Sequence, residues 1–228
     1  MKTIDSLREN QKLVLSLGVA FNALIPELAM AWLTELSSNA IRKCFRRMVK
    51  AKLLLRYFYG DNRESYYLLS RRAIRLLGIP PRRVSPLGWP ALIQAVGVLG
   101  ICVAANLDKL SAADFAQAFP HLCPRRGFQV GYYALTAENQ LVWIVVDHGA
   151  TAFTMAKKIR KVISKRYDIP AFRDLIVARG LSIIVATPTP EKATDIEAEL
   201  TKDPPRFVRV QVVPVAALIP LMLERDKK

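Results

Sequence analysis

The sequence predicts a protein of mixed α and β structure (α+β or α/β), with a smaller part over residues 1–83 and a larger part over residues 84–228. Blocks with helical periodicity alternate with short runs rich in β-branched and aromatic residues, as in proteins whose helices pack on a sheet. The segment IPPRRVSP separates the two parts. Of the formal net charge of +15, most lies in residues 1–83, which carry 16 basic and 6 acidic side chains against 18 and 13 in residues 84–228. We therefore expect the first part to face a polyanion.

The first part is predicted to contain three helices, a β-hairpin and a fourth helix. The second helix begins at residues 25–27, where a proline and a carboxylate suit a first helical turn. Ser37, Ser38 and Asn39 supply N-cap side chains for the third helix, and Gly60-Asp61-Asn62 between two β-rich runs predicts a hairpin turn. The expected helices cover residues 4–17, 25–34, 39–50 and 70–77. This order is typical of a winged helix-turn-helix, a DNA-binding fold.

The third predicted helix carries the candidate DNA contacts. Apolar residues 40, 41, 44, 45 and 48 recur at three-and-four spacing and form one face, which leaves the cations on the rest of the helix. A helix fits the major groove with its first turns against base edges, so we expect Asn39, Arg42 and Lys43 to contact bases. A solvated amphipathic helix is the alternative, but the short helix before it and the hairpin after it favour DNA. The expected set is completed by Ser38, Arg46, Arg47, Lys50 and, at the hairpin tip, Arg63.

The second part is predicted to form a central mixed sheet covered by helices. Two adjacent β-rich runs are followed by runs that helical segments separate, which is typical of α/β structure. The expected helices cover residues 88–106, 111–118, 151–166, 191–200 and 215–223, and the expected strands cover residues 128–135, 141–146, 181–186 and 207–213.

The segment from Val84 to Leu107 contains no charged residue and leaves two interpretations open. It is long enough to span a bilayer and follows Arg82 and Arg83. Its proline, glycines and polar residues favour a buried central helix instead. The start of the sequence lacks the apolar run of a signal peptide, and three widely spaced cysteines indicate a reducing compartment. We expect a cytoplasmic protein.

A second basic cluster lies on the helix predicted over residues 151–166. Lys157, Lys158 and Lys161 lie there, together with Arg160, Lys165 and Arg166. These cations either extend the phosphate-contacting surface, with salt-sensitive affinity, or form a solvated face. Both interpretations stay open, and the three lysines first named are candidate DNA contacts.

Few residues suggest catalysis. His121 and His148 are the only histidines, which excludes the three-histidine metal site of the usual relaxase. Asp147 follows the apolar run LVWIVV and precedes Gly149, a place where a nuclease holds a metal, but metal-dependent nucleases need several converging carboxylates. We expect Asp147 to be a turn residue, and it is the one catalytic candidate if the chain is an enzyme. No metal or other cofactor is expected.

Three stretches resemble a known family: LLLRYFYGDNRESYYLLSRRAIRLLG, LVWIVVDHGATAFTMAKKIRKVISKRY and IIVATPTPEKATDIEAEL. They are similar to the replication-relaxation proteins of plasmids and integrated mobile elements, which are related to plasmid mobilisation proteins. The resemblance covers most of the chain. It implies a winged helix over residues 1–83 and a restriction-endonuclease-like α/β domain over residues 84–228.

The same resemblance implies that the second domain lacks nuclease chemistry. Asp147 and Gly149 match the family pattern. Val145 stands where the family has a metal-binding glutamate, and Gln129-Val130-Gly131 stands where it has Pro-Asp-Gly. Both departures remove metal ligands.

The leading hypothesis is an accessory protein that binds specific duplex DNA at an origin of transfer or replication of a plasmid or mobile element. A relaxase or another mobilisation protein is the expected partner, and a homodimer is left open. The alternatives are a winged-helix transcriptional regulator, a metal-dependent nicking nuclease or relaxase centred on Asp147, and a membrane-tethered coupling protein.

Overall fold

The computed structural model of the chain describes residues 7–33, 36–59, 64–80, 84–123 and 132–226. In these ranges the protein contains ten α-helices and two sheets, so the predicted mixture of helices and strands with a central mixed sheet is confirmed. The helices are α1 Glu9–Phe21, α2 Pro26–Ala29, α3 Ser38–Lys50, α4 Arg71–Leu76, α5 Trp89–Ala104, α6 Ala112–Ala118, α7 Ala152–Tyr167, α8 Pro170–Val177, α9 Pro190–Thr201 and α10 Leu218–Asp226. The strands are β1 Leu54–Tyr59, β2 Glu64–Leu69, β3 Asp108–Lys109, β4 Tyr132–Leu135, β5 Leu141–Val146, β6 Leu181–Thr187 and β7 Arg209–Pro214.

Strands β1 and β2 form an antiparallel hairpin, paired from Leu54 with Leu69 to Tyr59 with Glu64. The predicted turn at residues 60–62 lies outside the described residues. Helix α3 packs on β1 and on α1 and α2, while Leu24 bridges to Tyr67 of the hairpin through two backbone hydrogen bonds of 2.9 Å. The first part is thus held together by the hairpin and the helices on either side of it.

Two helices of the first part differ from their predicted extents. Helix α1 continues to Phe21, four residues beyond the predicted end, and stops at Asn22, whose positive φ of 60° terminates the helix. The second predicted helix is one α turn, α2, followed by a 3₁₀ turn over Met30–Trp32. Its predicted end at Thr34, like the predicted start of the first helix at Ile4, lies outside the described residues.

The larger sheet has the order β3-β4-β5-β6-β7. Strands β3, β4 and β5 pair antiparallel, and β5, β6 and β7 pair parallel. Helices α7 and α8 connect β5 to β6, and α9 connects β6 to β7. Successive side chains of a strand point to opposite faces, so the sheet divides two cores.

One face of this sheet packs on α7, α8 and α9 through Trp143, Val145, Ile183 and Val185. The other face, with Val142, Ile144, Val146, Ile184 and Ala186, shares one apolar cluster with α5, α10 and the buried side chains of residues 14–74. The first part of the chain therefore shares a continuous core with α5. The boundary at residues 83 and 84 stays a prediction.

Helix α5 is the buried helix expected from the uncharged segment. Its glycines allow close approach: a Cβ on Gly97 would lie 2.6 Å from Val146, and one on Gly100 would clash with Val215. Among the described residues, no helix combines the length and the apolarity that a bilayer span requires. The three cysteines are free, and burial raises the pKa of Cys102 to about 12.

The sequence did not indicate every element of the second part. Helix α8 and the two-residue strand β3 were not predicted, and α10 lies three residues further along the chain than expected. The predicted strand over residues 128–135 is described only from Tyr132 onward.

Candidate nucleic-acid interface

Helix α3 is capped and seated by its own sequence. The Ser37 hydroxyl accepts a hydrogen bond from the Ala40 amide at 3.3 Å, which satisfies one of the free N–H groups of the first turn. Ile41, Phe45 and Met48 are buried on the opposite side from the cations. The Phe45 ring meets the edge of Tyr67 on the hairpin, with ring centroids 4.9 Å apart. The apolar face is therefore fixed against α1 and the hairpin.

The opposite face of α3 is open to solvent. The predicted DNA-contacting residues Asn39, Arg42, Lys43, Arg46, Arg47 and Lys50 are exposed, and Ser38 is half-buried. At about 100° per residue, the stripe that points most directly away from the buried face consists of Asn39, Lys43, Arg46 and Lys50. Arg63 lies outside the described residues.

The cations of α3 have few acidic partners. Arg42 pairs with Glu27 of α2, with 3.1 Å between guanidinium nitrogen and carboxylate oxygen. Within the described part of the chain, Lys43, Arg46, Arg47 and Lys50 make no ion pair. The helix itself carries no acidic residue, so its exposed face is strongly positive.

A cleft of about 890 Å³ lies between α3 and the hairpin. Arg42 and Arg46 of α3 and Arg56 of β1 line it, and the Arg56 guanidinium sits over the Phe58 ring at 4.5 Å. The start of α10 supplies one wall through Ala217 and Pro220. Further lining residues are Ile25, Pro26, Glu27, Leu28, Tyr59, Glu64, Ser65, Tyr67 and Ala216.

Two carboxylates moderate the charge of this cleft. Glu27 and Glu64 both line it, and desolvation raises the pKa of Glu64, with Glu27 and Glu224 adding to the effect. The sequence analysis missed Arg56 and both glutamates as site residues. Arg56 and Glu64 lie on the two hairpin strands and Glu27 lies on α2, and only the packed structure brings the three beside α3.

A second group that the sequence analysis missed lies at the far end of α3. Arg71, Arg72 and Arg75 of α4 are exposed, and Arg72 donates to the carbonyl of Ala51, directly after α3, at 3.3 Å. The string SRRAIR was the available signal, because it places three arginines on the first turns of a predicted helix. The positive surface of the first part therefore continues from α3 onto α4.

The basic side chains of α7 divide into two kinds. Lys157, Lys158, Lys161 and Lys165 are exposed. Arg160 donates to the carbonyls of Glu199 at 2.6 Å and Asp203 at 2.8 Å, which fastens α7 to the end of α9. Arg166 donates to the Tyr133 hydroxyl at 3.1 Å and lies over the Trp143 and Phe172 rings.

Asp147 is wholly buried at the end of β5. Its Oδ1 accepts the amides of Gly149 and Ala150, both at 2.9 Å, and Gly149 has a φ of +88° that favours glycine. Among the described residues, no three His, Cys, Asp or Glu side chains are grouped as a metal would require, and Gln129, Val130 and Gly131 lie outside the description. The arrangement fits the predicted turn role.

His148 joins three elements beside that turn. Its Nε2 lies 3.1 Å from Oε1 of Gln94 on α5, and Arg225 of α10 donates to its carbonyl oxygen. Desolvation lowers the pKa of His148, and Lys158 and Arg225 act in the same direction while Asp147 opposes them. The loop thus links α5, α10 and the start of α7.

Comparison of the chain with protein-family models, with curated proteins and with solved structures gives no match.

Proposed function

We propose that the chain is a cytoplasmic protein that binds specific duplex DNA through a winged helix formed by α1 to α4 and the hairpin. The observation that carries this proposal is the exposed face of α3, where four cations lack ion pairs within the described residues and the opposite face is fixed by buried side chains. A helix presented in this way fits the major groove.

The individual contacts follow from position on the helix. Asn39, Arg42 and Lys43 lie on the first turns and are assigned to base edges, where an asparagine suits adenine and an arginine or lysine suits guanine. Arg42 would exchange its pair with Glu27 for a base or phosphate. Ser38, Arg46, Arg47 and Lys50 are assigned to the sugar-phosphate backbone, which positions the helix without reading sequence. Arg63 is assigned to a groove or phosphate beside the hairpin.

Further cations of the protein lie beside α3, where the backbone of the bound duplex would pass. Arg56 shares the cleft with Arg42 and Arg46, and Arg71, Arg72 and Arg75 extend the positive surface beyond the end of α3. Each phosphate neutralised adds affinity that falls as salt rises. We therefore assign the cleft and α4 to phosphate contacts on either side of the major groove.

The biological setting rests on the family resemblance. We propose an accessory role at an origin of transfer or replication of a plasmid or mobile element, with a relaxase or another mobilisation protein as partner. The second part would then be a restriction-endonuclease-like domain kept for contact rather than cleavage. A winged-helix transcriptional regulator would use the same α3 surface, and sequencing the DNA bound to the chain would separate an origin from a promoter.

The absence of cleavage is part of this proposal and has its own test. Asp147→Asn keeps an oxygen that can accept the Gly149 and Ala150 amides but removes the negative charge. Nicking of duplex DNA in magnesium or manganese that this variant abolishes would show a nuclease centred on Asp147.

The DNA-binding proposal is tested by binding to a duplex enriched from a random pool, measured by fluorescence anisotropy over a range of salt. Replacing Lys43, Arg46 and Lys50 together by alanine removes three cations of one exposed stripe. We expect affinity to fall on the order of 100-fold, because one base contact contributes roughly 1–3 kcal/mol and each lost phosphate contact adds a smaller, salt-sensitive loss. The slope of log affinity against log salt should decrease by about 2 to 3.

The matched control is the triple alanine variant of Lys157, Lys161 and Lys165, which removes three exposed cations of α7. We expect it to bind the enriched duplex as the unaltered protein does, because α7 and the first part pack on different faces of the large sheet. An α3 variant with unchanged affinity and unchanged salt slope would overturn the proposal.

A further inference from the structure

The positive charge of the second part is concentrated on one helix. Helix α7 carries six of the 18 basic residues of positions 84–228 and none of the 13 acidic residues. Without α7, this part of the chain would have a slight excess of acid. The basic character of the second part is therefore a property of α7.

Four of these six cations make no hydrogen bond or ion pair within the described part of the protein. Arg160 and Arg166 bind α9 and the aromatic side chains under α7, whereas Lys157, Lys158, Lys161 and Lys165 are exposed. Among the described residues, none of the four lysines makes a hydrogen bond or an ion pair. They are available to a partner.

The lysines also share one side of the helix. At about 100° per residue, Arg160 points roughly 60° to one side of Lys157, toward α9, while Lys161, Lys165 and Lys158 point roughly 40°, 80° and 100° to the other side. The exposed carboxylates of α9, which are Glu191, Asp195 and Glu197, belong to the neighbour on the Arg160 side. The lysine stripe therefore faces away from the nearest acidic helix.

Such a stripe disfavours the isolated helix. Lys157, Lys161 and Lys165 follow one another at i, i+4 and i+8, and like charges at this spacing repel by a few tenths of a kcal/mol per pair, about 0.2–0.5. Helix α3 has the same spacing in Arg42, Arg46 and Lys50. A row of phosphates would offset this repulsion on either helix.

The two basic helices lie on different sides of the large sheet. Helix α7 packs on one face, through Met155 and Ile159. The first part packs, with α5, into the cluster on the other face. With roughly 10 Å for each packed layer, the lysine stripe and the α3 surface are on the order of 30 Å apart with the sheet between them. We therefore expect a duplex on α3 not to reach the lysine stripe.

We propose that the lysine stripe of α7 is a second nucleic-acid surface, which holds the phosphate backbone of a separate duplex segment without reading its sequence. The protein would then bridge two DNA segments, one on α3 and one on α7. Lysine is a point charge without a planar fork, so a surface of lysines alone suits phosphates rather than base edges. This inference rests on the proposed function for the α3 side of the bridge only.

The test is a bridging assay with the full chain and two short duplexes of random sequence at low salt, one fixed to beads and one labelled in solution. The unaltered protein should retain the labelled duplex on the beads. With the triple alanine variant of Lys157, Lys161 and Lys165, the amount of labelled duplex retained on the beads should fall about tenfold or more, because three phosphate contacts are removed. Its affinity for the enriched duplex of the anisotropy measurement, which is assigned to α3, should stay within twofold.

Each other outcome overturns the inference. If the unaltered protein does not bridge the two duplexes, the inference is wrong. If the lysine variant still bridges them, the bridging comes from a protein dimer and not from the α7 lysines. A lysine variant with weakened single-duplex affinity would place the stripe in the α3 footprint. Lysine-dependent binding to phosphatidylserine vesicles without lysine-dependent bridging would identify a membrane surface instead.

The α3 variant Lys43→Ala/Arg46→Ala/Lys50→Ala separates the two proposals. Unchanged single-duplex binding in that variant contradicts the proposed function, whereas loss of bridging in the lysine variant still supports the α7 surface.

Discussion

Helices α3 and α7 are both basic, both begin with a hydroxyl cap and both lack acidic residues, yet their cations differ in how many neighbouring groups they contact. On α3, the only ion pair among the described residues is between Arg42 and Glu27, and no cation of that helix holds the backbone of another element in the same ranges. On α7, Arg160 and Arg166 are fastened to neighbours. The charge of a helix therefore does not tell which of its cations are free to bind.

The neighbours of the two helices differ as well. Beside α3, the hairpin contributes Arg56 and Glu64, and α2 contributes Glu27, to one cleft with Arg42 and Arg46. Helix α7 lies on the sheet between α8 and α9, and its lysines form an open stripe. A cleft with arginines and carboxylates can distinguish ligands by shape and charge, whereas a stripe of lysines responds mainly to charge density. This contrast underlies the proposed division between specific and non-specific DNA contacts.

The largest effect on stability is expected from removing a buried side chain that packs α3 against the hairpin. Phe45→Ala deletes a ring that is 0% exposed and contacts Tyr67, so the free energy of unfolding should fall by about 3–5 kcal/mol. Denaturant titration followed by circular dichroism measures it. The control is Phe153→Ala on α7, where the ring is 61% exposed and the loss should be about 0.5 kcal/mol or less. Equal losses in the two variants would show that α3 is not seated as described.

A smaller effect should separate two adjacent cations of α7. Arg160→Ala removes charged hydrogen bonds to Glu199 and Asp203 and should lower the free energy of unfolding by about 1–3 kcal/mol. Lys161→Ala should change it by about 0.5 kcal/mol or less, since its side chain is exposed. The same denaturant titration compares them. A loss at Lys161 as large as that at Arg160 would contradict the division of α7 into structural and free cations.

Local rules explain which features could be predicted from the sequence. Ser37 before an amphipathic run predicted the start of α3, and the apolar runs LVWIVV and LSIIVA predicted β5 and β6, because caps and periodicity act within a few residues. Strand β3 has two residues and is defined only by its pairing with β4, so no local pattern announces it. Helix α8 follows α7 almost directly, and its signals were a proline at the first turn and apolar Phe172 and Ile176 at i and i+4, which the sequence analysis did not use.

The candidate site was predictable on α3 and not around it. The polar and basic side chains of α3 are predicted to be exposed because the apolar residues of the helix all lie on its other face. The place of Arg56 and Glu64 depends on how the hairpin packs against α3, which sequence spacing does not fix. Arg160 and Lys161 are neighbours of equal charge, and only the position of α9 distinguishes their roles.

The smallest effect on stability should come from replacing the N-cap residues of α3 and α7. The same variants test whether α3 alone binds the short duplex. Ser37→Ala removes the acceptor for the Ala40 amide and Thr151→Ala removes the acceptor for the Thr154 amide, so each should lower the free energy of unfolding by about 1 kcal/mol. Because the first turn of α3 carries Asn39, Ser37→Ala should also weaken binding to the short duplex several-fold. Thr151→Ala should leave that affinity unchanged.

A rescue variant separates capping from direct contact. Asparagine is an equally good N-cap, so Ser37→Asn should restore both the stability and the affinity if the hydroxyl acts by ordering the first turn. Restored stability with affinity still reduced would mean that the Ser37 hydroxyl contacts the DNA itself. Weaker binding in Thr151→Ala would instead show that the order of α7 matters to the short duplex, and the two basic helices would then share one footprint.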